Sequence, residues 1–154
     1  SVREYLKNLV ENESRVFGES SYCENRTVNT VLTVYERRAK ESGIAVRISV
    51  NAGRNLAVSP QDLVVVIANL FENAIHAVQK LESKDSCIKV FIKESARRLV
   101  IKVENPCADD FSFDETCYGV GICSVIAAAN KYNGMFDFNA ENGIFSAKVS
   151  LNLE

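Results

Sequence analysis

ANLFENAIHAV, residues 68–78, lies inside a longer run that opens with Ser59-Pro60, a serine placed to cap a helix and a proline placed at its first position. Leu63, Ile67, Leu70, Ala74, Val78 and Leu81 follow at helical spacing and form one apolar stripe. At about 100° per residue, Asn69, Asn73, His76 and Lys80 share the opposite stripe. That stripe reads either as the solvated side of an amphipathic helix or as an edge carrying ligand groups. The two asparagines ask for a reason, because an interior carboxamide competes for backbone hydrogen bonds. A carboxamide oxygen on a rigid helix is also a suitable hard ligand for a magnesium ion that keeps waters and phosphate oxygens in its other positions.

Outward from this helix the pattern changes period. Ile44, Val46, Ile48 and Val50 alternate with Ala45, Arg47 and Ser49 and predict a strand ending at NAGRN, 51–55. Before it, Val28, Val31, Leu32, Tyr35 and Ala39 predict a helix from about 25 to 41, with Gly43 as its stop. CIKVFIK, 87–93, and RLVIKVE, 98–104, predict a hairpin. Residues 105–118 have no period and hold Pro106, Phe111, Phe113 and the acids Asp109, Asp110, Asp114 and Glu115, which predicts a long loop. Tyr118-Gly119-Val120-Gly121-Ile122-Cys123-Ser124 leads into an apolar helix ending near 132. Its glycines read either as flexible residues at a helix start or as backbone free to approach an anion at the helix N-terminus. MFDFN at 135–139, a turn at AENG, 140–143, and a strand with Phe145, Ala147, Val149, Leu151 and Leu153 inward complete the chain. Five strands with regular polar faces are covered by helices on one side only, so the expected fold is α+β, a two-layer sandwich with a five-stranded mixed sheet.

Composition narrows the function classes. With 154 residues, 47% hydrophobic and 25% charged, the chain can bury a core, and 18 basic against 20 acidic residues exclude a surface built to wrap nucleic acid. Cys23, Cys87, Cys107, Cys117 and Cys123 form no C-x-x-C pair and read as free thiols. No apolar run reaches the roughly 20 residues of a membrane span, and SVREYLKNLV is too charged for a signal peptide. Val2, Tyr5 or Leu6, Leu9 and Val16 make the seam of a helix packing on another helix, so residues 1–21 are expected to be a linker helix, with the compact domain over 22–154. A start at Ser1 suggests a piece of a longer protein.

NLFENAIHA, 69–77, resembles the N box, and GVGICS, 119–124, the glycine box, of the GHKL superfamily of ATP-binding domains. Within it, the stretches 22–44, 67–78, 118–125 and 130–134 look like the catalytic domains of Gram-positive peptide-pheromone-type sensor histidine kinases. The resemblance implies the Bergerat-type ATP-binding fold and the cofactors ATP and Mg2+. Asn73 would be the metal ligand, Asn69 would sit beside the triphosphate, and both would serve catalysis. His76, Asn105, Gly119, Gly121 and Ile122 would complete the ATP site, and residues 106–118 would be an ATP lid without Lys or Arg. Asn105 stands where most of the superfamily has an adenine-binding aspartate, and Pro106, Cys107 and Ala108 replace that motif's glycines. Asn69 replaces the glutamate of the hydrolytic branches, so the implied reaction is phosphoryl transfer to a histidine on a separate dimerisation domain. The implied parent is a membrane-anchored homodimer with this domain in the cytoplasm, acting indirectly on a response regulator, and residues 1–21 would be the end of its dimerisation module. A protein-serine kinase of the anti-sigma-factor type and a nucleotide-free interaction module are the alternatives.

Overall fold

Each helix begins where a short polar side chain or a glycine stops the preceding extended chain. Asn25 accepts from the Val28 N–H at 2.9 Å and starts helix α1, Arg26–Glu41; its amide also donates to the Arg54 carbonyl at 3.0 Å. Ser59 and Pro60 start helix α2, Pro60–Gln79, in the expected cap and first-turn positions. Helix α3, Val120–Lys131, follows Gly119 and has no side-chain cap. The strands are β1 Ala45–Asn51, β2 Cys87–Glu94, β3 Arg98–Pro106, β4 Met135–Glu141 and β5 Ile144–Asn152. These coordinates are a computed structural model describing residues 3, 4, 6, 21–82 and 85–154.

The strands form one sheet in the order β1-β2-β3-β5-β4. β1 and β2 are parallel, as the α2 crossover between them requires, and the other pairs are antiparallel. Ile88, Val90, Ile92, Leu99, Ile101, Val103, Ala147, Val149 and Leu151 are buried beneath the helices, while Arg47, Lys89 and Lys148 stand on the exposed face. This is the α+β two-layer arrangement with helices on one side. The helices close on one another through Tyr35 of α1 and Phe71 of α2, whose rings stack at 5.6 Å.

Two boundaries differ from the sequence expectation. Asn105 and Pro106 belong to β3, paired with Phe145 and Ile144, so the loop begins at Cys107; a proline at the last position of a strand costs the ladder no donor it needs. At 140–143 the turn is shorter than AENG. Asn142 and Gly143 take the positive φ values of 53° and 75°, which leaves Ala140 and Glu141 in β4. The expected linker helix over 1–21 lies outside the described residues except at Arg3, Glu4, Leu6 and Ser21; the first three have helical backbone, Ser21 does not, and Leu6 is fully buried in the core.

The start of α2 is tied to the end of α3 through Asp62. Its carboxylate accepts from the Tyr132 hydroxyl at 2.6 Å and the Ser59 hydroxyl at 2.8 Å, and Lys131 Nζ lies 2.9 Å away. Burial opposes ionisation of Asp62, but the bonds from Tyr132, Lys131 and Ser59 outweigh it and hold the carboxyl below its usual range. A depressed carboxyl contributes stability that is present above its unfolded-state pKa, about 4, and lost as pH falls through the lower folded-state value. Asp62→Asn is therefore expected to cost about 1 kcal/mol at neutral pH and to flatten the loss of stability below about pH 4, measured by urea unfolding at stepped pH.

Candidate functional site

Helix α2 runs through the centre of the site because one of its sides meets the core while the other meets α3 and the loop 107–119. Asn73 and His76 of α2, with Lys80 at its C-cap, line one wall of a cavity of about 400 Å³. Asn105, from the end of β3, lines it too and is 2% exposed, with its amide donating to the Pro106 carbonyl at 2.8 Å. Phe111, Phe113 and Cys117 of the loop and Phe145 of β5 line its other side. The cavity is thus polar along the helix and aromatic along the loop, a combination that suits a flat ring joined to a charged tail.

Asn69 is more deeply placed than its stripe suggested. It is 4% exposed; its amide donates to the Val65 carbonyl at 2.7 Å and its oxygen accepts from Arg3 Nη1. The oxygen also faces α3, since a Cβ added at Gly121 would lie 2.8 Å from Asn69 Oδ1. Gly121 is what lets the N-terminus of α3 approach α2 here. Gly119 has open space around a Cβ, and its φ of −97° is one any residue adopts. Ile122 is buried and does not line the cavity. The structure therefore gathers Asn73, His76 and Asn105 around the cavity and sets Asn69 and Gly121 against each other, while Gly119 leads into an uncapped helix whose first N–H groups carry partial positive charge.

Glu72, next to Asn73 in sequence, is held away from the cavity. It accepts from the Tyr35 hydroxyl and lies 3.8 Å from Arg3 Nη1 and 3.9 Å from Arg38 Nη1. Burial and the Glu72 carboxylate push the Tyr35 phenol up, so it remains the donor. The loop has an anchor that its lack of period concealed. Phe113 packs on Phe145 at 4.8 Å, on Phe138 at 5.7 Å and on Tyr118 at 5.8 Å, and Phe111 meets Phe145 edge-on at 6.2 Å. Two aromatic residues in an otherwise polar loop were the signal for this. Cys107 stands on the cavity wall as a free thiol, pushed up by burial and by Asp109, so it is a protonated thiol at neutral pH.

A sheet of this order under a three-helix layer has counterparts among known proteins. A family model described as GHKL domain matches residues 58–152, well over half of the chain. The catalytic domain of histidine kinase ThkA superposes with a TM-score of 0.66 at 13% identity, over 82% of this chain and 91% of that one. The Acinetobacter baumannii histidine kinase AdeS superposes with a TM-score of 0.67 at 15% identity, over 99% of this chain and 76% of that one. The histidine kinase domain of the blue-light-activated kinase of Erythrobacter litoralis gives a TM-score of 0.72 at 12% identity, over 98% and 73% of the two chains. At such identities these likenesses establish the fold. No curated protein sequence matches the chain. The chain belongs to the GHKL family, and its fold is that of histidine kinase catalytic domains.

Proposed function

We propose that this chain is the ATP-binding catalytic domain of a sensor histidine kinase of the peptide-pheromone type, which passes the γ-phosphoryl group to a histidine on a dimerisation domain of its parent protein. The observation that carries the reading is the single cavity joining Asn73 and His76 of the central helix to buried Asn105, beside the uncapped start of α3. Its aromatic side takes the base and its helix side the phosphates. Asn105 offers the adenine amino group a carboxamide oxygen, its own amide being used by Pro106. The N–H groups at the start of α3 and the His76 ring face the negative charge of the phosphates.

The residues present fit a magnesium ion. Asn73 is a half-buried carboxamide, a hard oxygen donor, on the cavity wall. Asn73 would hold the metal, which when bound supplies neutralisation of the phosphate charge. The chain's own residues do not favour hydrolysis. Asn69 cannot take a proton, and Glu72 is engaged by Tyr35, Arg3 and Arg38. A neutral imidazole acceptor needs no strong base, so positioning is the main demand on the site. His76 is the only histidine of the sequence and stands on the cavity wall, so the acceptor must come from elsewhere.

The test is phosphoryl transfer. The chain with radioactive ATP is expected to leave itself unlabelled and to label a separately supplied dimerisation module of its parent, with an acid-labile phosphate. Acid-stable labelling of serine or threonine would point to a serine kinase instead.

A further inference from the structure

The start of the chain brings a cation to the Asn69 end of the site. Arg3 Nη1 donates to Asn69 Oδ1 and lies 3.8 Å from Glu72 Oε2, while Leu6, buried in the core, anchors the same segment. The Asn69 oxygen is also where Gly121 brings the N-terminus of α3. A guanidinium and the positive end of a helix therefore converge on one neutral carboxamide, one turn before Asn73. With Glu72 Oε2 at 3.8 Å as a carboxylate paired to Arg3 here, the guanidinium and the helix end make a place where a more highly charged anion can compete. The loop on the other side of the cavity carries Asp109, Asp110 and Asp114 and no Lys or Arg. The site's own lid thus supplies no positive charge of the kind the proposed phosphates require.

We propose that Arg3 is a phosphate-binding residue that serves the terminal phosphate of the nucleotide, an assignment that rests on the ATP reading above. Its neighbours leave it free to do so. Its side chain is 36% exposed, and it would exchange a bond to the neutral Asn69 amide and the 3.8 Å pairing with Glu72 for a charge-assisted bond between guanidinium and phosphate. Glu72 would not be stranded by the move, since the Tyr35 hydroxyl and Arg38 remain on it.

The test compares a triphosphate with a diphosphate. Calorimetry with magnesium is run on the wild-type chain, Arg3→Ala and Arg3→Lys, using a non-hydrolysable ATP analogue and ADP, with melting curves of the free proteins alongside. Arg3→Ala is expected to weaken the triphosphate analogue about tenfold and ADP by no more than about twofold, with Arg3→Lys between wild type and alanine. Equal loss for both nucleotides would show a merely structural role and overturn the assignment. So would unchanged binding, or tighter triphosphate binding by Arg3→Ala. A wild-type chain that bound ADP but showed none of this selectivity would leave the nucleotide reading standing and refute the role of Arg3; one that bound neither would refute both.

Discussion

Asn73→Ala is expected to remove magnesium-dependent nucleotide binding while leaving the fold intact. Asn73 is half-buried on the cavity wall, one turn beyond Asn69 on α2. Alanine is a better helix former than asparagine and deletes no core contact, so the helix itself should gain slightly. What is lost is the carboxamide proposed to hold the metal. Affinity for a non-hydrolysable ATP analogue in magnesium should fall about 100-fold or more, the scale on which even indirect supports of a metal site act. In chelator the variant and the wild type should bind alike. Unchanged affinity in magnesium would remove Asn73 from the metal's coordination.

The second large effect is on the fold. Alanine at Gly134 would place its Cβ 1.7 Å from the Ser150 carbonyl oxygen and 2.8 Å from its carbon. Both are backbone atoms of β5, so no side-chain rotation relieves the overlap. Gly134 N also donates to the Ala129 carbonyl at 2.8 Å, and Met135 next to it pairs with Ser150. The residue is therefore held from both sides, and relief requires β4 to move off β5. A cost of about 3 kcal/mol is expected, a large share of the roughly 5–15 kcal/mol that holds a domain together. The melting temperature should drop by about 10 °C. Gly119→Ala is the contrast, since nothing lies within 4 Å of its added Cβ, and it should stay within about 1 kcal/mol of wild type. A Gly134→Ala protein melting with the wild type would contradict this packing.

The parts of this fold that local rules govern were legible in the sequence. Ser59 and Pro60 announced α2, and the alternation in 87–93 and 98–104 announced the central hairpin, because caps and periodicity act over a few residues. The end of β4 was misjudged for a local reason. Asn142-Gly143 is itself the two-residue turn signal, and taking all of AENG as the turn hid it. The depth of Asn69 was not legible. Helical spacing set it on a polar stripe, but its burial is the work of Gly121, 52 positions away, and of Arg3, 66 positions away. The same holds for the grip of Tyr35 and Arg38 on Glu72 and for the seating of Phe113 on Phe138 and Phe145. Contacts between distant elements decide such details, and no window of sequence contains them.

The most direct measurement of the central claim is a calorimetric titration of the 154-residue chain with a non-hydrolysable ATP analogue, once in magnesium and once in chelator. Binding at one site that magnesium strengthens is the expected result, with the cavity between α2 and the loop 107–119 as that site. Absence of binding in both conditions, or an affinity indifferent to magnesium, would contradict it.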